Sequence, residues 1–172
     1  ITPAWILHNY PSVENVIRGL RAVNCGDARC AYCSQKLNAE YSLKKWFGYD
    51  RFRTFGGEPL QENAAKAAIK GESLLAIFPT GGGKSLTFQL PALMAGETVR
   101  GLTVVISPLQ SLMKDQVENL EKKGISEAVY INGLLSPIER RAHAGSTTDW
   151  VKSRGVVSFR CSLWVGGGQA VR

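Results

Sequence analysis

Pro79-Thr80-Gly81-Gly82-Gly83-Lys84-Ser85 has the residue types needed to receive a phosphate chain. Consecutive glycines let backbone N–H groups turn toward one anion with no Cβ in the way, and a helix that follows adds its positive end. Lys84 can then reach the outer phosphates while the Ser85 hydroxyl ligates Mg²⁺, so Thr80 through Leu86 is the expected binding loop for a nucleotide such as ATP. The spacing departs from Gly-x-x-x-x-Gly-Lys-Ser at one place, where Phe78 stands for the first glycine. Gly166-Gly167-Gly168 lacks a following Lys-Ser and reads as flexible tail.

Cys25, Cys30 and Cys33 form a second group with possible chemistry. Their spacing suits metal thiolates, and Gly26 and Asp27 suit the turn of a zinc knuckle. Three ligands are one short of a closed site, with His8 a candidate fourth for Zn²⁺. The other readings are free thiols in a reducing compartment and an iron–sulfur cluster, which as a rule needs four cysteines.

The loop requires a strand before it and a helix after it. Leu74-Leu75-Ala76-Ile77-Phe78 has the length and composition of a buried parallel strand, and Leu102 to Ile106 reads as a second. The span from Ser85 to Met94 between them reads as a crossover helix that Pro91 kinks or shortens. After the second strand, Ser107 as N-cap, Pro108 at the first position and Gly124 beyond the end predict a helix with Leu109, Leu112, Met113, Val117 and Leu120 on one stripe. Ala128 to Ile131 is a third candidate strand, Leu60 to Ile69 an alanine-rich helix ending near Gly71, and Ser136 to Glu139 has capping-box spacing before a short helix.

The chain of 172 residues is 44% hydrophobic and 20% charged, which excludes collagen-like and wholly disordered classes. It has no apolar run of the about 18 residues a membrane span needs and no secretory leader pattern, so a cytoplasmic or nucleoid-associated protein without a membrane partner is expected. The net charge of +7 favours a polyanionic partner. Residues 1–42 carry four basic and three acidic groups, 43–141 thirteen and ten, and 142–172 four and one, so composition shifts near residue 142.

Leu43 to Arg53, then Gln61, then Phe78 to Leu93 and Val104 to Val117, together resemble RecQ-type ATP-dependent DNA helicases of superfamily 2. The resemblance covers about Leu43 to Arg141 and accounts for Phe78, because these helicases do not require glycine there. It implies an α/β fold, an incomplete RecA-like domain with a parallel sheet and flanking helices over 43–141. A small irregular cysteine-containing arm (1–42) precedes it, and an irregular basic tail (142–172) follows.

The resemblance further implies that Tyr49 and Arg53 flank an adenine and that Gln61 hydrogen-bonds its edge, chemistry suited to a ring, a guanidinium plane and an amide. Seven residues, Thr54 to Leu60, separate Arg53 from Gln61 here, where the family places the glutamine sooner. Ser107, Pro108, Ser111 and Lys114 correspond to the family's next motif, which touches single-stranded DNA, and Asn132 to a further turn on the DNA side.

No Asp-Glu pair occurs in the chain, and no second motor domain follows. A first residue of Ile rather than Met adds to the expectation of an N-terminal piece that does not hydrolyse ATP or unwind DNA alone, although its parent moves 3′ to 5′. Beyond Arg141 the family pattern stops; a frameshift near 142–147 is one reading, a divergent folded segment the other. Two further functional readings are a non-catalytic nucleic-acid or partner-binding remnant with a metal-binding arm, and another superfamily 2 motor such as an RNA helicase.

Overall fold

The computed structural model describes residues 4–107, 109–126, 128–131, 136, 138 and 157–160. Ten elements follow in the order α1 (Ala4–Asn9), α2 (Ser12–Ala22), α3 (Ala31–Lys36), α4 (Ala39–Phe47), α5 (Leu60–Ile69), α6 (Leu86–Val99), β1 (Thr103–Ile106), α7 (Gln110–Glu121), β2 (Ala128–Ile131) and β3 (Val157–Arg160). The strands form one parallel sheet in the order β1-β3-β2, with Thr103 opposite Val157 and Val157 opposite Ala128. Helices and a parallel sheet make the chain α/β, as expected.

The core lies where α4, α5, α6 and α7 meet. Leu43 and Phe47 of α4, Ala65 of α5, Leu90 and Leu93 of α6, and Met113, Val117 and Leu120 of α7 are buried together with Ile125 and Ala128. Alanine at position 65 lets α5 approach α6 closely. Gly124, at φ +76°, reverses the chain after α7, and the Ile125 N–H returns to the Leu120 carbonyl at 3.0 Å, so β2 starts beside the helix that precedes it.

The arm is not irregular. Val13, Val16, Ile17 and Leu20 follow a three-and-four spacing that makes α2 amphipathic, yet none of its residues is buried, and its packing against α6 leaves Val16 and Leu20 exposed. Asn38 caps α4 by accepting the Tyr41 N–H at 2.9 Å. Lys36 of α3 and Lys45 of α4 both pair with Glu97 of α6, the latter at 2.7 Å, which ties the arm to the crossover helix.

Four other expectations change. Leu74 to Phe78 forms no strand among the described residues; Leu75 is 88% and Ile77 81% exposed, because a parallel strand exists only with neighbours and β1 pairs with β3 instead. The tail over 142–172 was expected to be irregular, but Val157-Ser158-Phe159-Arg160 is the middle strand, with a valine and a phenylalanine that favour extended backbone.

Ser107 is not the N-cap of α7, which starts at Gln110 after Leu109; with the start moved, Leu109 and Leu112 leave the buried stripe. Pro91 does not shorten α6, which runs through it to Val99. Pro108, Asn132, most of Ser136 to Glu139, and the tail outside β3 fall beyond the described residues.

Candidate nucleotide site and cysteine cluster

Gly48 sets the site's first wall. At φ +71° it ends α4, its N–H returning to the Lys44 carbonyl at 3.0 Å, and the chain turns there so that Tyr49 leaves the helix axis. Tyr49 lines a cleft of about 260 Å³ with Phe47, Arg53, Gln61, Gly83 and Ser85. Lys123, just past α7, holds its ammonium 5.4 Å from the Tyr49 ring centroid and 5.9 Å from that of Phe47, a cation–π position on both rings.

The seven residues between Arg53 and Gln61 fold into a tight hairpin. Phe55 and Glu58 exchange backbone hydrogen bonds of 2.9 and 3.0 Å around Gly56 and Gly57, at φ +58° and +88°, the double positive φ of a type I′ turn. The extra length is thereby looped out, and Arg53 comes back beside Gln61. The Arg53 backbone N–H donates to Gln61 Oε1 at 2.8 Å, and Gln61 Nε2 donates to the Gly83 carbonyl at 3.0 Å. Arg53 Nη1 donates to the Gly81 carbonyl at 2.9 Å. Arg53 and Gln61 thus both grip the glycine-rich loop directly, with Gln61 only 2% exposed.

The helix expected after the loop forms at Leu86, while the strand expected before it does not. Gly81 and Gly83 sit at φ +78° and +70°, and the Gly82 N–H closes a turn on the Pro79 carbonyl at 3.0 Å. A Cβ on Gly82 would lie 2.9 Å from the Pro79 carbonyl oxygen, and one on Gly83 only 2.6 Å from Gln61 Nε2. Packing therefore restricts Gly82 and Gly83, backbone conformation restricts Gly81, and the residues present fit a bound nucleotide phosphate chain. Phe55 stacks obliquely on Phe78 at 5.4 Å, so the residue that replaces the first glycine braces the loop from below. Lys84 is exposed, with its ammonium 3.3 Å from the Phe78 carbonyl, while Thr80 is exposed and Leu86 buried.

Sequence reasoning missed a polar chain beneath the loop. Gln89 Nε2 donates to Gln116 Oε1 at 2.6 Å, and Gln116 Nε2 donates to Ser85 Oγ at 2.9 Å. The available signal was a glutamine inside each apolar stripe: Gln89 between Leu86 and Leu93, and Gln116 between Met113 and Leu120. A buried amide in such a stripe needs a partner, and each supplies the other's. Of the residues expected to meet DNA, Ser111 and Lys114 are exposed on α7, with Lys114 3.6 Å from Glu118. Ser107 is buried, its hydroxyl 3.4 Å from both backbone polar atoms of Leu109.

Cys25, Cys30 and Cys33 converge, with all three sulfurs within 4.8 Å of one another. Cys33 is buried on α3 and Cys25 exposed, and their sulfurs lie 3.5 Å apart. The hydrogen bond from the Cys33 backbone, and then that from the Cys25 thiol, hold the Cys30 thiol below its ordinary value. His8 bonds to Asn9 at 3.2 Å and is not among the converging ligands. Among the described residues, no helix is long and apolar enough to cross a membrane.

Comparison with known proteins places this geometry in context. The family described as DEAD/DEAH box helicase matches residues 58–151, more than half of the chain. The chain is 46% identical over 101 residues to ATP-dependent DNA helicase Q5 of Mus musculus, an alignment covering 58% of this chain and 9% of that protein. It is 46% identical over 99 residues to ATP-dependent DNA helicase RecQ of Bacillus subtilis, covering 57% and 15%. With RecQ of Haemophilus influenzae the identity is 47% over 98 residues, covering 57% and 14%. The chain thus spans well under a quarter of the length of these curated relatives.

Proposed function

The chain belongs to the DEAD/DEAH box helicase family, whose nucleotide domain is RecA-like, and on that premise we propose that it is the ATP-binding part of a RecQ-type, ATP-dependent DNA helicase. The observation that carries the reading is Gln61, whose one amide accepts from the Arg53 backbone and donates to Gly83. An adenine-recognition element and a phosphate loop joined by hydrogen bonds across one cleft are what a purine nucleoside triphosphate needs and a bare phosphate does not.

In this reading the loop N–H groups of Gly81 to Ser85 hold the phosphates, Lys84 neutralises their outer charge and the Ser85 hydroxyl ligates Mg²⁺. Mg²⁺-ATP, when bound, supplies the free energy for movement. Tyr49 presents its ring to the base, and Arg53 keeps the loop in register through Gly81. Ser111 and Lys114, exposed on α7, meet the phosphates of single-stranded DNA, while buried Ser107 shapes the entry to that helix. Translocation runs 3′ to 5′, and the protein resides with the DNA it acts on. Zn²⁺ at the cysteine arm would be a structural cofactor, apart from the nucleotide chemistry.

The test is equilibrium binding of a fluorescent ATP analogue with Mg²⁺ to monodisperse protein. Saturable binding, competed by ATP and lost in Lys84→Ala, is expected. Equal affinity in wild type and Lys84→Ala would refute the site. Salt-sensitive DNA binding indifferent to nucleotide would favour a non-catalytic nucleic-acid module instead.

A further inference from the structure

The cysteines of the arm take no part in the nucleotide site, and their arrangement has its own chemistry. Cys25 lies in the turn after α2, Cys30 immediately before α3 and Cys33 within α3. Residues on two sides of a turn are brought to one point, with no pair of sulfurs more than 4.8 Å apart. The Cys25 backbone N–H points at the Cys33 sulfur at 3.4 Å, a contact that holds the turn against α3.

The turn is already built to hold this shape. Gly26 is at φ +82° with its N–H on Asn24 Oδ1 at 2.9 Å, the Arg29 N–H is on Asp27 Oδ1 at 2.8 Å, and the Cys30 N–H is on the Asp27 carbonyl at 3.1 Å. Little ordering entropy is left for a ligand to oppose.

We propose that Cys25, Cys30 and Cys33 bind one thiophilic divalent cation, Zn²⁺, as three thiolates with a fourth, exchangeable position open to solvent beside exposed Cys25. Zinc–sulfur bonds of about 2.3 Å in a tetrahedron put the sulfurs about 3.8 Å apart. The Cys25–Cys33 pair stands at 3.5 Å, and the widest separation has to close by only about 1 Å. A Cys25–Cys33 disulfide is the competing use of these atoms, but it would leave Cys30 without a role in a cluster it helps to form.

The ion's function is to crosslink the α2–α3 turn. Tyr32 donates from its hydroxyl to the Arg21 carbonyl at 3.0 Å, and Lys36 at the end of α3 pairs with Glu97 of α6. Fixing α3 therefore fixes the arm on the helix that starts at the phosphate loop. The inference is independent of the helicase reading.

The experiment measures zinc in the reduced 172-residue chain purified without chelator, then replaces it with Co²⁺ and records the spectrum. About one equivalent of zinc and a cobalt spectrum with thiolate charge transfer and intense tetrahedral d–d bands are expected. Cys25→Ser, at an exposed position that leaves folding intact, should weaken metal affinity about tenfold or more with ATP-analogue binding retained. Cys161→Ser, at the chain's fourth cysteine, which lies outside the described residues and the trio, should change nothing. The proposal is overturned by zinc below a tenth of an equivalent with no cobalt band, by a Cys25–Cys33 disulfide whose reduction yields no metal binding, or by equal metal loss in Cys161→Ser and Cys25→Ser.

Discussion

Gln116 donates a hydrogen bond to the Ser85 hydroxyl across 2.9 Å, joining the helix that carries Ser111 and Lys114 to the residue proposed to ligate Mg²⁺. Gln89 orients it from the other side at 2.6 Å. A serine hydroxyl has two lone pairs. With one taken by Gln116, the other is left for the cation, and the Ser85 rotamer is held by an amide that is itself held.

Gln116→Ala should therefore weaken Mg²⁺-dependent binding of the ATP analogue about fivefold to tenfold, the cost of about one hydrogen bond, with little change when Mg²⁺ is omitted. Adding Gln89→Ala to it should cost little more, because the chain is already broken. A purely structural role would lower both affinities equally; Mg²⁺ titrations of the four variants in the cycle distinguish the two.

Gly83→Ala is expected to be among the most damaging single changes in the loop. The new Cβ would meet Gln61 Nε2 at 2.6 Å, and the backbone is in the left-handed region at φ +70°. Strain of roughly 1–2 kcal/mol plus the loss of the Gln61 contact should lower stability by about 2 kcal/mol or more and remove analogue binding. Urea denaturation at constant m-value measures the first, and an unchanged midpoint would contradict the packing described.

Glu97 carries a pH signature. Burial pushes its carboxyl up, but the Lys36 and Lys45 ammonium groups together outweigh that and hold it below its ordinary 4.5. A carboxylate with a depressed folded value contributes stability that is present above the unfolded value and lost as pH falls through the folded one. Because both lysines are partly exposed, Glu97→Gln should cost only about 1 kcal/mol at neutral pH, with the difference from wild type vanishing at acid pH below 4.5. Thermal melts from neutral to acid pH test the sign: a difference that grows on acidification would be wrong for this pair.

Leu75 and Ile77 should govern self-association. Both side chains are exposed beside a segment without strand partners among the described residues, the kind of edge that pairs between molecules. The double variant Leu75→Lys/Ile77→Lys is expected to remain monomeric at concentrations where the wild type associates, with stability changed by about 0.5 kcal/mol or less per site. Light scattering against concentration decides it, and equal association of both proteins would mean this segment is not the contact.

The amino-acid sequence alone determined local features: the glycine turns at Gly81 and Gly83, the helix at Leu60–Ile69, the third strand at Ala128–Ile131 and the cysteine trio. These depend on residue types at short spacing, where backbone freedom, propensity and hydrophobic period act within a few residues. Tertiary structure decided which distant residues share a site. The Gly56-Gly57 turn returns Arg53 to Gln61, and neither glycine signals by itself that a seven-residue separation will close. Gln89 and Gln116, 27 residues apart, meet only because α6 and α7 bury their stripes in one core. The strands show the same division: Leu74 to Phe78 has a strand's composition but no ladder, while Val157–Arg160 has one because β1 and β2 lie on either side of it. Composition supplies the propensity for a strand, and hydrogen bonds from neighbours remote in sequence make it one.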